Sequence, residues 1–479
     1  MVTQGAYENY VAGEFVTGEN DRTLEVENPA TAETVALHAL AGAETCARAV
    51  EAGRAAFASG VLSRAKPTVR MRLLFDIAAE LRKVKQEGGR MLCLEQGKSL
   101  KSAEDEFEKA AAAFEYYGGL ADKAEGRQIP LGDGMVDFTI LEPLGLSLQI
   151  VPWNFPVSIA ARSVAAALAT GNSVILKSPE ITPVGLHYMA RAIDAAGAPA
   201  GTVSVICATG GDAGRHLVTD PAIDQITFTG SVATGRWILS AAAENIVPTV
   251  MELGGKSAGI ALDDADMSKV MAAVRASTIS NAGQICSGMT RLIVHRSRYD
   301  EALAELGKLA EEITVGPGMD NSVLTPLVSE TQRNRVQEYL SIGANEKLDL
   351  VTGGGVPDRA GWFMDFTVYA DVPATSRLAQ EEIFGPVLVV MPFDTREEAV
   401  ELANGTQYGL AAGIFTDRLN DALWLAQRLR AGQVYGNLWH AASIASPFGG
   451  FGRSGFGRER GAEAVMNYAK SKNVCFALS

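Results

Sequence analysis

The sequence predicts an α/β protein with parallel sheet covered by helices on both faces. Two stretches of strand–helix alternation, 145–243 and 253–440, carry that prediction, with glycine- and hydroxyl-bearing turns after the strands of the first. Ahead of them, 43–58 and 67–86 place apolar residues at helical spacing, as in Met71, Leu74, Ile77, Ala78 and Leu81. Residues 102–121 read as another helix, acidic at its start, which suits the helix dipole. Between 124 and 142, Gly126, Pro130, Gly132 and Gly134 punctuate short apolar pieces, the pattern of a β-hairpin. The first alternation then predicts strands at 145–151, 173–177, 203–206 and 225–228. Helices follow near 156–169, near 183–196, after Gly210-Gly211, and from Ser231 to about 243. In such sheets ligands bind at the carboxyl ends of the strands. The second stretch includes helices near 266–279 and 298–313 and a strand near 290–295. The apolar tail, 464–479, suits an interface strand; its ordinary alternative is a frayed terminus.

The 479 residues suggest two to four domains, at roughly 150 residues each. A hydrophobic fraction of 47% with 20% charged residues is ordinary for a soluble globular chain. The net charge of -14 argues against a nucleic-acid or anionic-membrane surface, since both need a basic footprint. The opening MVTQGAYENYVAGEF lacks the basic-then-apolar pattern of a secretory signal, and no apolar stretch reaches membrane-span length. The 5 cysteines are scattered and odd in number, which fits a reducing, cytoplasmic setting and no disulfide framework. The histidines (His38, His187, His216, His295, His440) show no metal-ligand spacing and are read as structural or surface residues.

Several strand ends carry chemistry. In QITFTGSVATG, Gly230 and Ser231 follow a strand and open a helix, which aims backbone N–H groups at an anion. Gly235, one turn on, permits close approach of a ligand. The plainer reading of Ser231 is an N-cap. Lys177 and Glu180 end the strand SVILK, where a ribose would lie. A Glu there suits a free 2′-hydroxyl and repels a 2′-phosphate, so it favours NAD over NADP. Alone, the pair also reads as a solvated loop.

Cys286 closes the run NAGQIC. Among small residues at a turn, its thiolate is a candidate nucleophile, provided the pocket lowers its pKa. A lone cysteine is more often a buried small hydrophobe, which describes Cys46, Cys93 and Cys207. Glu252 ends VPTVME ahead of Leu253, a Gly254-Gly255 turn and Lys256. A carboxylate between apolar residues costs stability, and such awkwardness often marks function. Asn154, in Val151–Pro156, offers a side-chain N–H to an oxyanion.

Together these segments resemble the aldehyde dehydrogenase superfamily. PWNFP at 152–156, MELGGKS at 251–257, NAGQIC at 281–286, EEIFGP at 381–386 and PFGG at 447–450 stand in that family's order and spacing, and the resemblance covers essentially the whole chain. It implies that Cys286 attacks the aldehyde carbon. It implies that the Asn154 amide and the Cys286 backbone N–H hold the oxyanion, and that Glu252 activates water to hydrolyse a thioester. Lys177, Glu180, Gly230, Ser231 and Gly235 match adenosine and pyrophosphate positions; Trp153, Leu253, Glu382 and Phe384 match the nicotinamide side. Ile159, Arg162, Ile285, Ser287 and Phe448, with the loop 438–446, fall where the substrate lies. The resemblance also implies a Rossmann-like cofactor domain (1–124 and 143–252), an α/β catalytic domain (253–446) and a β oligomerisation arm (125–142 and 464–479), which joins dimers or tetramers.

Relatives that pass the acyl group to coenzyme A generally lack a Glu at the position of Glu252, so its presence favours hydrolysis. A coenzyme A-acylating enzyme and a non-catalytic NAD(P)-binding scaffold are the rival readings. Retention of nucleophile, base and oxyanion donor argues against the second. Some positions depart from the common pattern. Ile279 stands where an aromatic is frequent. Ser163 replaces a Lys that relatives link in a proton relay to the acid matched by Glu459. Arg162 matches an arginine with which succinate-semialdehyde dehydrogenases bind a distal carboxylate, but Ser280 and Gly288 replace that group's further arginine and cysteine. An anionic semialdehyde and a neutral aldehyde both fit. Arg162 either grips a substrate carboxylate or pairs with a structural acid.

Overall fold

The computed structural model describes residues 6–211, 213–440 and 443–478. Two large sheets organise it. In the first, an eight-stranded sheet, Thr249–Glu252, Gln225–Thr229, Leu146–Ile150, Ser173–Ser178 and Val203–Cys207 lie side by side and parallel. Antiparallel edges close it: Asn9–Val11 and Glu14–Val16 at one side, Gly455–Phe456 at the other. The second is seven-stranded and parallel apart from its edge strand Asp349–Thr352. Separate apolar clusters fill both faces of each sheet, which suits the near-continuous apolar runs of strands such as Ser173–Ser178 and Val387–Phe393.

The elements expected from 145 to 243 are present, as Leu146–Ile150, Pro156–Thr170, Ser173–Ser178, Val184–Ala195, Val203–Cys207, Ala213–Thr219, Gln225–Thr229 and Val232–Glu244. The helix expected at 67–86 runs on to Gln96, through Gly88 and Gly89. A Cβ on Gly88 would sit 2.5 Å from the Phe107 ring, so these glycines serve helix–helix contact and do not break the helix. The next helix, Leu100–Leu120, has no acid in its first turn; Ser99 caps it instead. The helix expected at 266–279 ends at Val274 and gives way to a π turn, Arg275–Ile279.

The hairpin expected at 124–142 forms from Gln128–Ile129 and Met135–Pro143. The tail is a strand: Ala469–Ala477 pairs antiparallel with Met135–Pro143 along its whole length. Among the described residues, no helix is long and apolar enough to cross a membrane.

Candidate active site

The turn that delivers Cys286 is tightly wound. After the π turn, Asn281, Ala282 and Gly283 take φ values of 51°, 52° and 71°. Left-handed backbone at a non-glycine residue costs on the order of 1–3 kcal/mol and persists where its surroundings dictate it. Here they do. A Cβ on Gly283 would meet the Gly385 carbonyl at 2.1 Å, so the turn is pressed against the segment carrying Glu382 and Phe384. Gln284 pins it further: its Nε2 donates to Asn281 O at 2.9 Å, and its Oε1 accepts from Val328 N at 2.9 Å.

Asn154 lies between Leu146–Ile150 and Pro156–Thr170, whose first position is the helix-compatible Pro156. Its Nδ2 donates to Gln284 O at 2.9 Å, two residues before Cys286. Lys98, buried and ion-paired with buried Glu106, donates from Nζ to Asn154 O at 2.6 Å. Glu106 also accepts from Ser158 N at 3.2 Å, at the start of the same helix. Nothing in the segment QGKSL signals this support, since a lysine there reads as solvated.

Glu252 ends its strand hemmed in by Gly455–Phe456, and is 2% exposed. Among the described residues neither carboxylate oxygen has a hydrogen-bond partner. Burial, then the charge of Glu459, holds its pKa well above the ordinary carboxylate range, against the pull of Arg162. The two glycines after it make room for neighbours and take no left-handed turn. A Cβ on Gly254 would collide with the Glu382 carboxylate, and one on Gly255 with Cys286 O at 2.5 Å. Gly255 N donates to Glu382 Oε1 at 3.1 Å.

Cys286, Glu252 and Asn154 open onto one cleft of about 150 Å³. Trp153, Gly230, Ser231, Leu253, Glu382 and Phe384 line it as well. Phe384 has φ 62° and meets the Trp153 ring edge-on, centroids 5.3 Å apart. Two lining residues have no sequence signal. Gln332 Nε2 donates to Phe384 O at 2.7 Å and Arg335 to Glu382 O at 2.8 Å, from a helix, Glu330–Asn345, that reads as ordinary polar surface. Ser231 also caps its helix, accepting from Thr234 N at 3.2 Å, so the plainer reading of it holds.

Lys177, Glu180 and Gly235 lie outside the cleft lining. Glu180 pairs with Lys177 at 3.2 Å and accepts from Gly210 N at 2.6 Å, at the carboxyl end of Ser173–Ser178. Gly235 makes room for Leu253, whose Cδ2 would lie 2.7 Å from an added Cβ; in this structure the close approach is by a side chain.

The lowered thiol pKa set as a condition for Cys286 is not found. Burial pushes it up to about 11; Arg162 opposes this, while Glu252 and Glu382 add to it. Cys93 and Cys207 are buried, with thiols pushed up to about 12.

Of the substrate-side candidates, Ile159 and Ile285 are buried apolar residues, and Ser287 Oγ lies 3.0 Å from His440 Nε2, so His440 belongs to this neighbourhood. In the loop 438–446, positions 441 and 442 lie outside the described residues. Arg162 is ion-paired with buried Glu459 and lies over the Phe448 ring, 5.4 Å from its centroid. Of its two readings, pairing with a structural acid is the arrangement observed.

The model of the Aldehyde dehydrogenase family matches residues 15–474. A Bacillus subtilis chain assigned as aldehyde dehydrogenase DhaS is 39% identical over 98% of this chain and 96% of its own. The betaine aldehyde dehydrogenase of the same organism is 35% identical, over 97% and 96%. The structure of an NAD+ complex of the Bacillus cereus aldehyde dehydrogenase superposes with a TM-score of 0.97 at 36% identity, covering 99% of this chain and 97% of that one. The chain belongs to the aldehyde dehydrogenase family.

Proposed function

We propose that this chain oxidises an aldehyde to its carboxylate with NAD, through a covalent adduct on Cys286 that water resolves. One observation carries the reading: thiol, amide donor and buried carboxyl share one cleft, with the amide tied to the nucleophile's own turn.

The Cys286 sulfur, once deprotonated, adds to the aldehyde carbon, and the carbonyl π electrons move onto oxygen. Asn154 Nδ2 has a second N–H beyond the one given to Gln284 O, and this would donate to the developing oxyanion together with the Cys286 backbone N–H. When bound, NAD supplies the hydride acceptor and a positive ring charge. Loss of hydride from carbon lets the oxyanion collapse to a thioester on Cys286. Deprotonated Glu252 then takes a proton from water. The hydroxide adds to the thioester carbon, the C–S bond breaks, and the thiolate returns.

The fit to NAD rests on the cleft and on Glu180. Gly230 and Ser231, at the start of the helix Val232–Glu244, line the cleft, and Glu180 holds an acid where a 2′-phosphate would be repelled. Lys177 stands beside it, and Glu382, which accepts from Gly255 N, would hold the nicotinamide ribose. We assign 1–124 and 143–252 to cofactor binding, 253–446 to catalysis, and the arm strands of 125–142 and 464–479 to a homodimer or homotetramer. The scattered cysteines suit the cytoplasm.

The test is stoichiometric. Each aldehyde consumed should yield one NADH and one carboxylate, with no dependence on coenzyme A. Acyl-coenzyme A formation would move the chain to the acylating class, and NAD binding without turnover of any aldehyde would leave a scaffold.

A further inference from the structure

Gln284 and Asn154 fix the chain before Cys286. The chain after it has fixtures of its own, and no step above uses them. Ser287, the next residue, is 4% exposed. Two consecutive residues of one loop grip it at different atoms. Trp439 Nε1 donates to Ser287 O at 3.1 Å, and His440 Nε2 lies 3.0 Å from Ser287 Oγ.

The direction of the second bond follows from the other ring nitrogen. His440 Nδ1 lies 3.3 Å from Ala276 O, and a carbonyl only accepts, so Nδ1 carries the proton. Burial holds the ring neutral, with its pKa lowered to about 4. Nε2 is then a bare acceptor, and the Ser287 hydroxyl donates to it. Ala276 belongs to the π turn Arg275–Ile279, so His440 bridges the segments before and after the nucleophile.

The gripping residues are themselves fixed. Asn437 stands at φ 54° and His440 at φ 59°, conformations that a non-glycine residue keeps where its surroundings require them. Asn437 N donates to Ile414 O at 2.8 Å, its Nδ2 donates to Thr416 O at 2.8 Å, and its Oδ1 accepts from Thr416 N at 3.0 Å. Trp439 is buried over Gly413, where an added Cβ would collide with the indole ring. On the far side, Cys286 O is packed against Gly255. The peptide joining Cys286 to Ser287 is therefore held at Cys286 O and, one residue on, at Ser287 O and Ser287 Oγ. Its N–H, that of Ser287, donates to the Cys286 sulfur and favours the thiolate.

We infer that Trp439 and His440 are positioning residues for the nucleophile, which by gripping Ser287 keep its backbone N–H aimed at the Cys286 sulfur. This role belongs to the covalent mechanism proposed above and rests on it. The Ser287 hydroxyl is thereby spent on the protein and not on the substrate.

The experiment reads the second-order rate of Cys286 labelling by iodoacetamide across pH, followed by mass on the peptide that carries Cys286. It needs neither NAD nor an aldehyde. Trp439→Phe keeps a ring and removes the indole N–H. His440→Leu removes the acceptor. Ser287→Ala removes the hydroxyl and leaves both neighbours in place, so it serves even where a loop variant fails to fold. Each should slow labelling at a fixed alkaline pH by about 5-fold and move the profile to higher pH, as for loss of one hydrogen bond. His440→Gln restores an acceptor and should recover part of the rate; no recovery overturns the part given to His440. Unchanged or faster labelling in Trp439→Phe or Ser287→Ala overturns the inference. A raised aldehyde KM would then assign the loop to substrate contact alone, and a lowered Tm to folding alone. Slower labelling in the variants, with no aldehyde oxidised by the native protein, overturns the oxidation and spares the positioning role.

Discussion

Arg162 and Glu459 form a buried ion pair, 5% and 2% exposed, and both act on the charge of Glu252. Glu459 raises the Glu252 pKa and Arg162 lowers it. In the proposed mechanism Glu252 acts deprotonated, so where hydrolysis limits, kcat should rise with pH through its elevated pKa. Glu459→Gln removes a negative neighbour and should move that rising limb to lower pH. Arg162→Met removes the cation and should move it to higher pH. It should also destabilise the fold by about 3–5 kcal/mol, because a buried carboxylate loses its partner. Limbs that shift the same way in both variants would refute the electrostatic account.

Asn154→Ala should lower kcat on the order of 10²–10³-fold, as for other oxyanion donors. A loss below threefold would show that the Cys286 backbone N–H suffices. Lys98 holds the Asn154 carbonyl, so Lys98→Met should lower kcat by a smaller factor and destabilise the protein through unpaired Glu106. Adding Glu106→Leu should recover stability but not kcat. Recovery of both would mean that the pair acts on folding alone.

The sequence was most legible where local pattern and long-range structure agree. Strands such as Ser173–Ser178 are buried throughout, and their ends sit where parallel sheets bind ligands, so Asn154, Glu252 and Ser231 were found from their places on strands. Residues that reach the site from distant segments left no trace. Gln332 and Arg335 come from a polar helix, Lys98 from a helix connection, and Gly455–Phe456 from far along the chain. Glycines mark two places where the structure departs from the expected pattern. The helix expected to end at 86 runs on through Gly88 and Gly89, while Gly254 and Gly255 looked like a turn and instead make room for Glu382 and Cys286. A missing side chain is visible in a sequence, but what fills its place is not.

Glu252→Gln should retain thiohemiacetal formation and hydride loss but not activate water. A first turnover should release about one NADH per site, followed by a steady rate at least 10²-fold lower, with the acyl group on Cys286 by intact-mass measurement. A steady state as fast as the native enzyme's would remove Glu252 from the mechanism.

The resting thiol of Cys286 is held at about 11, so alkylation should accelerate as pH rises toward that value, with no plateau near neutrality. Thiolate is the reactive form, which sets the sign. Glu252 raises this pKa and Arg162 lowers it, so Glu252→Gln should speed iodoacetamide labelling at a fixed alkaline pH and Arg162→Met should slow it. Cys93 and Cys207 are buried, with thiols at about 12, and should label last in every case. A labelling rate already flat at pH 7 would mean that the resting pocket ionises Cys286 on its own. Activation would then precede substrate binding, and the charges of Arg162 and Glu252 would not set it.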